Sequence, residues 1–167
     1  RQRISPTHYK FNFMKMYNTQ MKQYQLDIYR KLIKYINDNR SKGELRLSDR
    51  NIGIQISNIV YSNSLDDKFK ISYGWKGFNK FIEDKIERKR KVCKYKENNP
   101  SFNLENLKDI SCKFYNILSN LISSKAEGII FIYSDFIYSG ILPMAMALEH
   151  IGFEKYGGQN ILNYPEW

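Results

Sequence analysis

Several residue types that build chemistry are scarce in this chain. Among 167 residues there are two cysteines, Cys93 and Cys112, and two histidines, His8 and His150. Two thiols cannot supply a disulfide framework, and these four residues show no zinc-ligand spacing. Both cysteines therefore read as free thiols in a reducing compartment. No apolar run is long enough to span a bilayer; the longest lies near Gly128 to Tyr133. There is no Gly-x-Ser-x-Gly elbow, and the histidines flank no marked nucleophile. Gly128, Gly140, Gly152 and Gly157-Gly158 form no dinucleotide-binding fingerprint. Glu149-His150 reads as polar helix surface.

What the chain does have is a core-forming share of apolar residues, 42%, which excludes disorder throughout. It also has charge of one sign. Lysine and arginine number 27 against 17 acidic residues, a net +10. Residues 1–100 hold 23 basic and 10 acidic groups, net +13, and residues 101–167 hold 4 and 7, net −3. A basic stretch beside a mildly acidic one suits a polyanion partner, and equally suits solubility. The first residue is Arg1 and the last, Trp167, follows no helix stop; both ends read as cut from something longer.

The chain divides into three stretches. Residues 1–40 open with alternating Tyr9, Phe11 and Phe13, a strand pattern within Thr7–Met16. A helix follows, capped by Asn18 or Thr19 and carrying Met21, Tyr24, Ile28, Leu32 and Tyr35 at steps of three and four, to about Asn37. Residues 41–103 form a basic insertion or linker, mostly helical. In it Gly43–Arg50 is loop-like, and a helix through Trp75, Phe78, Phe81 and Ile82 enters the basic run Lys85–Lys96. That run, with Arg88, Arg90, Lys91 and Lys94, reads as a solvated helix face or mobile loop, or as a phosphate-binding patch. Residues 104–167 read as an α/β core: a helix over Leu104–Ser123, a two-faced apolar strand at Ile129–Tyr133, and a helix from Ser139-Gly140 to the Gly152 stop. Pro143 is tolerated in that helix's first turn. A strand apolar on both faces belongs inside a parallel sheet, and ligands sit beyond the carboxyl ends of such strands. Ser134, Asp135 and Phe136 occupy that end.

Gly128-Ile-Ile-Phe-Ile-Tyr-Ser-Asp-Phe136, followed by Gly140 to Gly152, resembles motif IV and the next helix of superfamily 2 helicases. The likeness is greatest to the helicase-type and transcription ATPases of large DNA viruses, and extends more distantly to Swi/Snf remodellers. Gln20, Tyr24 and Tyr29 are similar to the family's entry into its second lobe. Gln55-Ile-Ser-Asn-Ile-Val-Tyr61 resembles its Arg/Gln-x-Ser-Asn-x-x-Tyr-Pro stretch, with Ser62 where proline is frequent, and Ser111-Cys-Lys113 resembles its Ser-x-Lys helix. Residues 63–104 match no part of the family.

The resemblance implies a partial RecA-like second lobe in a nucleic-acid-dependent ATPase or helicase. It implies nucleic-acid contacts from Ser134, Asp135, Phe136 and Lys113, with Arg88, Arg90, Lys91 and Lys94 as basic candidates. Implied partners are DNA or RNA, the first RecA-like lobe and transcription machinery, without a membrane. The implied place is intracellular, in host cytoplasm or nucleus or packaged in a virion. ATP and magnesium are expected for the intact protein only. No Gly-Lys-Ser/Thr phosphate loop occurs, and Asp66-Asp67 lies in a polar stretch rather than after an apolar strand. This stretch alone is expected to be inactive, with no catalytic residue, cofactor or metal site of its own. The rival expectation is a non-enzymatic basic α/β module that binds nucleic acid or a protein.

Overall fold

Helix α1 (Gln23–Asp38) buries Gln25, Ile28, Leu32 and Ile36, one stripe at steps of three and four. The stripe includes the expected Ile28 and Leu32 but brings a polar residue, Gln25, fully inside, while Ile33 faces outward. The structure, a computed structural model, describes residues 16–38, 47–61, 72–87, 90–96, 99–124 and 128–162. The strand expected at Thr7–Met16 lies outside them, save for Met16.

Helix α2 (Leu47–Asn58) begins inside the stretch expected to be a loop. Asp49 in its first turn complements the helix dipole, and Ile56 is sealed in the core. Helix α3 (Gly74–Phe81) buries Phe78 and Phe81 and stops there. The basic run does not continue as helix. It folds back as a ribbon of β1 (Ile82–Glu87) and β2 (Arg90–Tyr95), antiparallel, with Ile82 opposite Tyr95, Glu83 opposite Lys94 and Glu87 opposite Arg90. Two of these facing positions carry opposite charges, which favours the ribbon. Ile82, Val92 and Cys93 are buried.

The single helix expected over Leu104–Ser123 is two, α4 (Leu104–Ile110) and α5 (Cys112–Ser123). Ser111 breaks them with φ −157° and ψ 87°, and its Oγ accepts the Phe114 N–H at 3.2 Å as an N-cap. The apolar stepping continues across the break, so periodicity alone does not reveal it. Residues 128–136 are in no helix or strand, and a π turn (Ile137–Ile141) then leads into α6 (Leu142–His150), where Pro143 sits in the first turn as expected. Gly152 takes φ +93°, the left-handed region that ends helices.

The core joins α1, α2, α4, α5 and α6 through Ile28, Leu32, Ile56, Leu107, Leu118 and Met146. An aromatic cluster lies beside it: Tyr61 meets Phe78, Phe81 and Phe102 at ring-centre distances of 6.0, 5.7 and 6.1 Å. Glu149 and His150 are not free surface. Glu149 is buried, accepting the Ile161 and Leu162 N–H groups at 2.6 and 2.8 Å, and His150 Nε2 lies 2.9 Å from the Tyr95 hydroxyl.

The architecture is thus mixed helix and strand, mostly helical. Among the described residues the only sheet is the two-stranded antiparallel ribbon. Ile129–Tyr133 is in no strand, and no strand among the described residues pairs with it. Ile129 is 102% exposed and Phe131 86%, where a central strand would bury both. No helix among the described residues is long and apolar enough to cross a membrane.

Candidate nucleic-acid interface

Gln25 is a fully buried amide whose three hydrogen bonds tie two helix ends together. Its Nε2 donates to the carbonyls of Ile56 and Ser57 at 2.9 and 3.2 Å, and its Oε1 accepts the Cys112 N–H at 3.0 Å. The orphan carbonyls ending α2 and the orphan amide starting α5 are satisfied by one side chain. The Ser111 hydroxyl adds a bond to the Asn58 carbonyl. The end of α2 and the start of α5 are thereby held side by side.

That join places Lys113. Its Nζ donates to Ser57 Oγ at 2.9 Å and to Asn58 Oδ1 at 3.1 Å, both neutral acceptors. The ammonium is half-buried, and desolvation lowers its pKa. No carboxylate among the described residues pairs with it.

Opposite Lys113 the chain turns at Ser134. Ser134 Oγ accepts the Phe136 N–H at 3.2 Å, closing a local turn before the π turn. Three contacts fix the π turn itself. The Tyr61 hydroxyl donates to the Tyr138 carbonyl; Ser139 Oγ accepts the Gly74 N–H at 2.8 Å; and Ser139 Oγ donates to Gln55 Oε1 at 3.4 Å. Gly140 lies against Ser134, where a side chain would not fit. A cleft of about 200 Å³ remains, with Asn58, Lys113, Ile132, Tyr133, Ser134 and Gly140 among its walls.

Two of the expected site residues, Lys113 and Ser134, therefore share one cleft. Asp135 is exposed beside it and accepts a bond from the Tyr133 hydroxyl. Phe136 is half-buried and serves through its backbone N–H. Lys94 is exposed on β2, and Arg90 and Lys91 are on the same strand by register. Among the described residues that line the cleft none belongs to the ribbon, and Arg88 lies outside the described residues. Ser57, Asn58, Tyr133 and Gly140 were not singled out as site residues from sequence. The stretch Gln55–Tyr61 was the available signal for Ser57 and Asn58; for Tyr133 there was only its place beside Ser134.

Among the described residues that line the cleft the polar groups are one ammonium, hydroxyls and an amide, with no carboxylate. No group of three or more histidine, cysteine, aspartate or glutamate residues gathers among the described residues. Such a donor set suits an anion and does not fit the magnesium ion expected of an intact ATPase. No family model, curated protein or solved structure matches the chain.

Proposed function

We propose that this chain contributes nucleic-acid contacts to a superfamily 2-type ATPase or helicase, as part of its second RecA-like lobe. The observation that carries the reading is the meeting of Lys113 with Ser134. The two are well separated in sequence, yet they face one cleft at the carboxyl end of Ile129–Tyr133. A half-buried ammonium held by neutral acceptors, with no carboxylate partner among the described residues, suits an anion, and a phosphodiester is the anion that the basic balance favours. In this reading Ile129–Tyr133 is a strand of a parallel sheet, and the exposed Ile129, Ile130 and Phe131 belong to faces that helices cover.

The sequence has no phosphate loop and no acidic pair after an apolar strand, so in this reading hydrolysis belongs to the intact protein with its first lobe. DNA or RNA is the partner of this stretch.

Titrating the chain with single-stranded oligonucleotides at several salt concentrations tests the proposal. Binding is expected to be sequence-tolerant and to weaken steeply with salt. Lys113→Gln should lower the log–log slope by about 0.7, the contribution of one phosphate on a single strand. Binding that ignores salt, or a slope unaffected by Lys113→Gln, overturns the assignment of the cleft.

A further inference from the structure

We infer that Tyr133 is a base-stacking platform for single-stranded nucleic acid, set beside the phosphate contact of Lys113. The inference rests on the nucleic-acid reading above and names the part of the ligand that the cleft's other wall would take.

Four observations lead to it. Tyr133 is 72% exposed, although a tyrosine of its size ordinarily finds a hydrophobic seat. Its hydroxyl donates to the carboxylate of Asp135, two residues on, so the ring is tethered at its far end. It lines the same cleft as Lys113 and Ser134. The Lys113 ammonium is itself fixed by Ser57 and Asn58, which leaves a positioned cation and a positioned ring within one small cleft.

A nucleotide offers the complement to both: an anionic phosphate and a flat base joined by a short sugar. Every base has a π face, so a ring of this kind accepts any of them, and the site should not discriminate sequence. The Asp135 carboxylate works in the same sense. Bonded to the ring's hydroxyl, it disfavours phosphate at that end of the ring and leaves the phosphate to Lys113.

The experiment compares an oligothymidylate with an abasic strand of the same length, each titrated into the chain by fluorescence anisotropy. The abasic strand is expected to bind roughly 5- to 150-fold more weakly at equal salt, the range for loss of one stacked base. Tyr133→Ala should weaken thymidylate binding to a similar degree and erase the difference between the strands, with an unchanged salt slope. Tyr133→Phe, which keeps the ring, should retain most of the difference. Circular dichroism confirms that the substituted chains remain folded, as an exposed side chain allows. Equal affinity for both strands, or a difference that survives Tyr133→Ala, overturns the stacking role while leaving the Lys113 phosphate contact standing. Absence of salt-dependent binding to either strand overturns the nucleic-acid reading and this inference together.

Discussion

Gly140 packs so closely on Ser134 that a Cβ at position 140 would lie 2.1 Å from the Ser134 Oγ and 2.8 Å from its Cβ. The serine cannot swing its Cβ aside, because that atom is fixed by its own backbone. Gly140→Ala should therefore destabilise the chain by about 1–3 kcal/mol, the cost of overpacking a filled site. Adding Ser134→Gly to Gly140→Ala should recover part of the loss. Urea unfolding of the two single variants and the double variant measures this coupling; additive losses would show that the two positions do not press on each other.

Gln25→Met keeps the volume and removes all three hydrogen bonds. The Cys112 N–H and the ends of α2 are then left without their partner inside the core. A loss on the order of 3 kcal/mol is expected, since unsatisfied buried groups cost more than the net worth of the bonds. The urea midpoint of the variant reports it, and a shift of a few tenths of a kcal/mol would show that water takes over the role of the amide.

Lys113 has a pKa lowered from 10.5 by desolvation. The unfolded chain thus holds this proton to higher pH than the folded one does. Between the lowered value and 10.5, the lysine's contribution to stability rises with pH; below that window the buried charge subtracts a constant amount. Lys113→Met removes this term. The stability of Lys113→Met relative to the natural chain should be greatest near pH 7 and fall as pH approaches 10.5. Comparing the two proteins at each pH cancels the tyrosines they share, including Tyr61 and Tyr95, whose pKa values burial raises. A relative stability independent of pH would contradict the assignment.

The ribbon offers a second set of cations. Changing Arg90, Lys91 and Lys94 together to glutamine should lower the single-strand salt slope by roughly two if all three meet phosphates. Cross-strand placement of Glu83 against Lys94 and Glu87 against Arg90 sets the competing outcome. Where those carboxylates already engage the cations, the slope stays as it was, and the ribbon is a solvated one. Titration of the triple variant at several salt concentrations distinguishes the two.

The isolated chain should show no ATP turnover above a buffer blank, because no phosphate-loop lysine or acidic magnesium pair is present to orient and neutralise phosphates. Steady-state hydrolysis by the purified chain, with contaminating ATPases excluded, would refute this. Joining the chain to an upstream lobe should restore turnover.

The body of helix α1, Pro143 in the first turn of α6 and the Gly152 stop were legible in the sequence, because each depends on neighbours a few residues away. The helix starts were not, since α1 begins at Gln23 rather than after Asn18 or Thr19, and α6 at Leu142 rather than at Ser139-Gly140. Apolar stepping, the fixed φ of proline and the freedom of glycine act locally. The break at Ser111 was not legible. It exists because the Asn58 carbonyl and the Gln25 amide, both distant in sequence, bond to Ser111 and Cys112 and outweigh helical continuity. Residues 85–96 likewise look helical by charge density, yet pairing between β1 and β2 and the burial of Val92 and Cys93 favour a ribbon. The sequence by itself determined that Lys113 and Ser134 are residue types suited to meeting phosphate, and that the chain lacks a phosphate loop. Only the tertiary structure decided that the two share a cleft, with Tyr133 on its wall. The physical reason is that helix ends leave polar groups that must be satisfied, and here the partners that satisfy them come from remote segments.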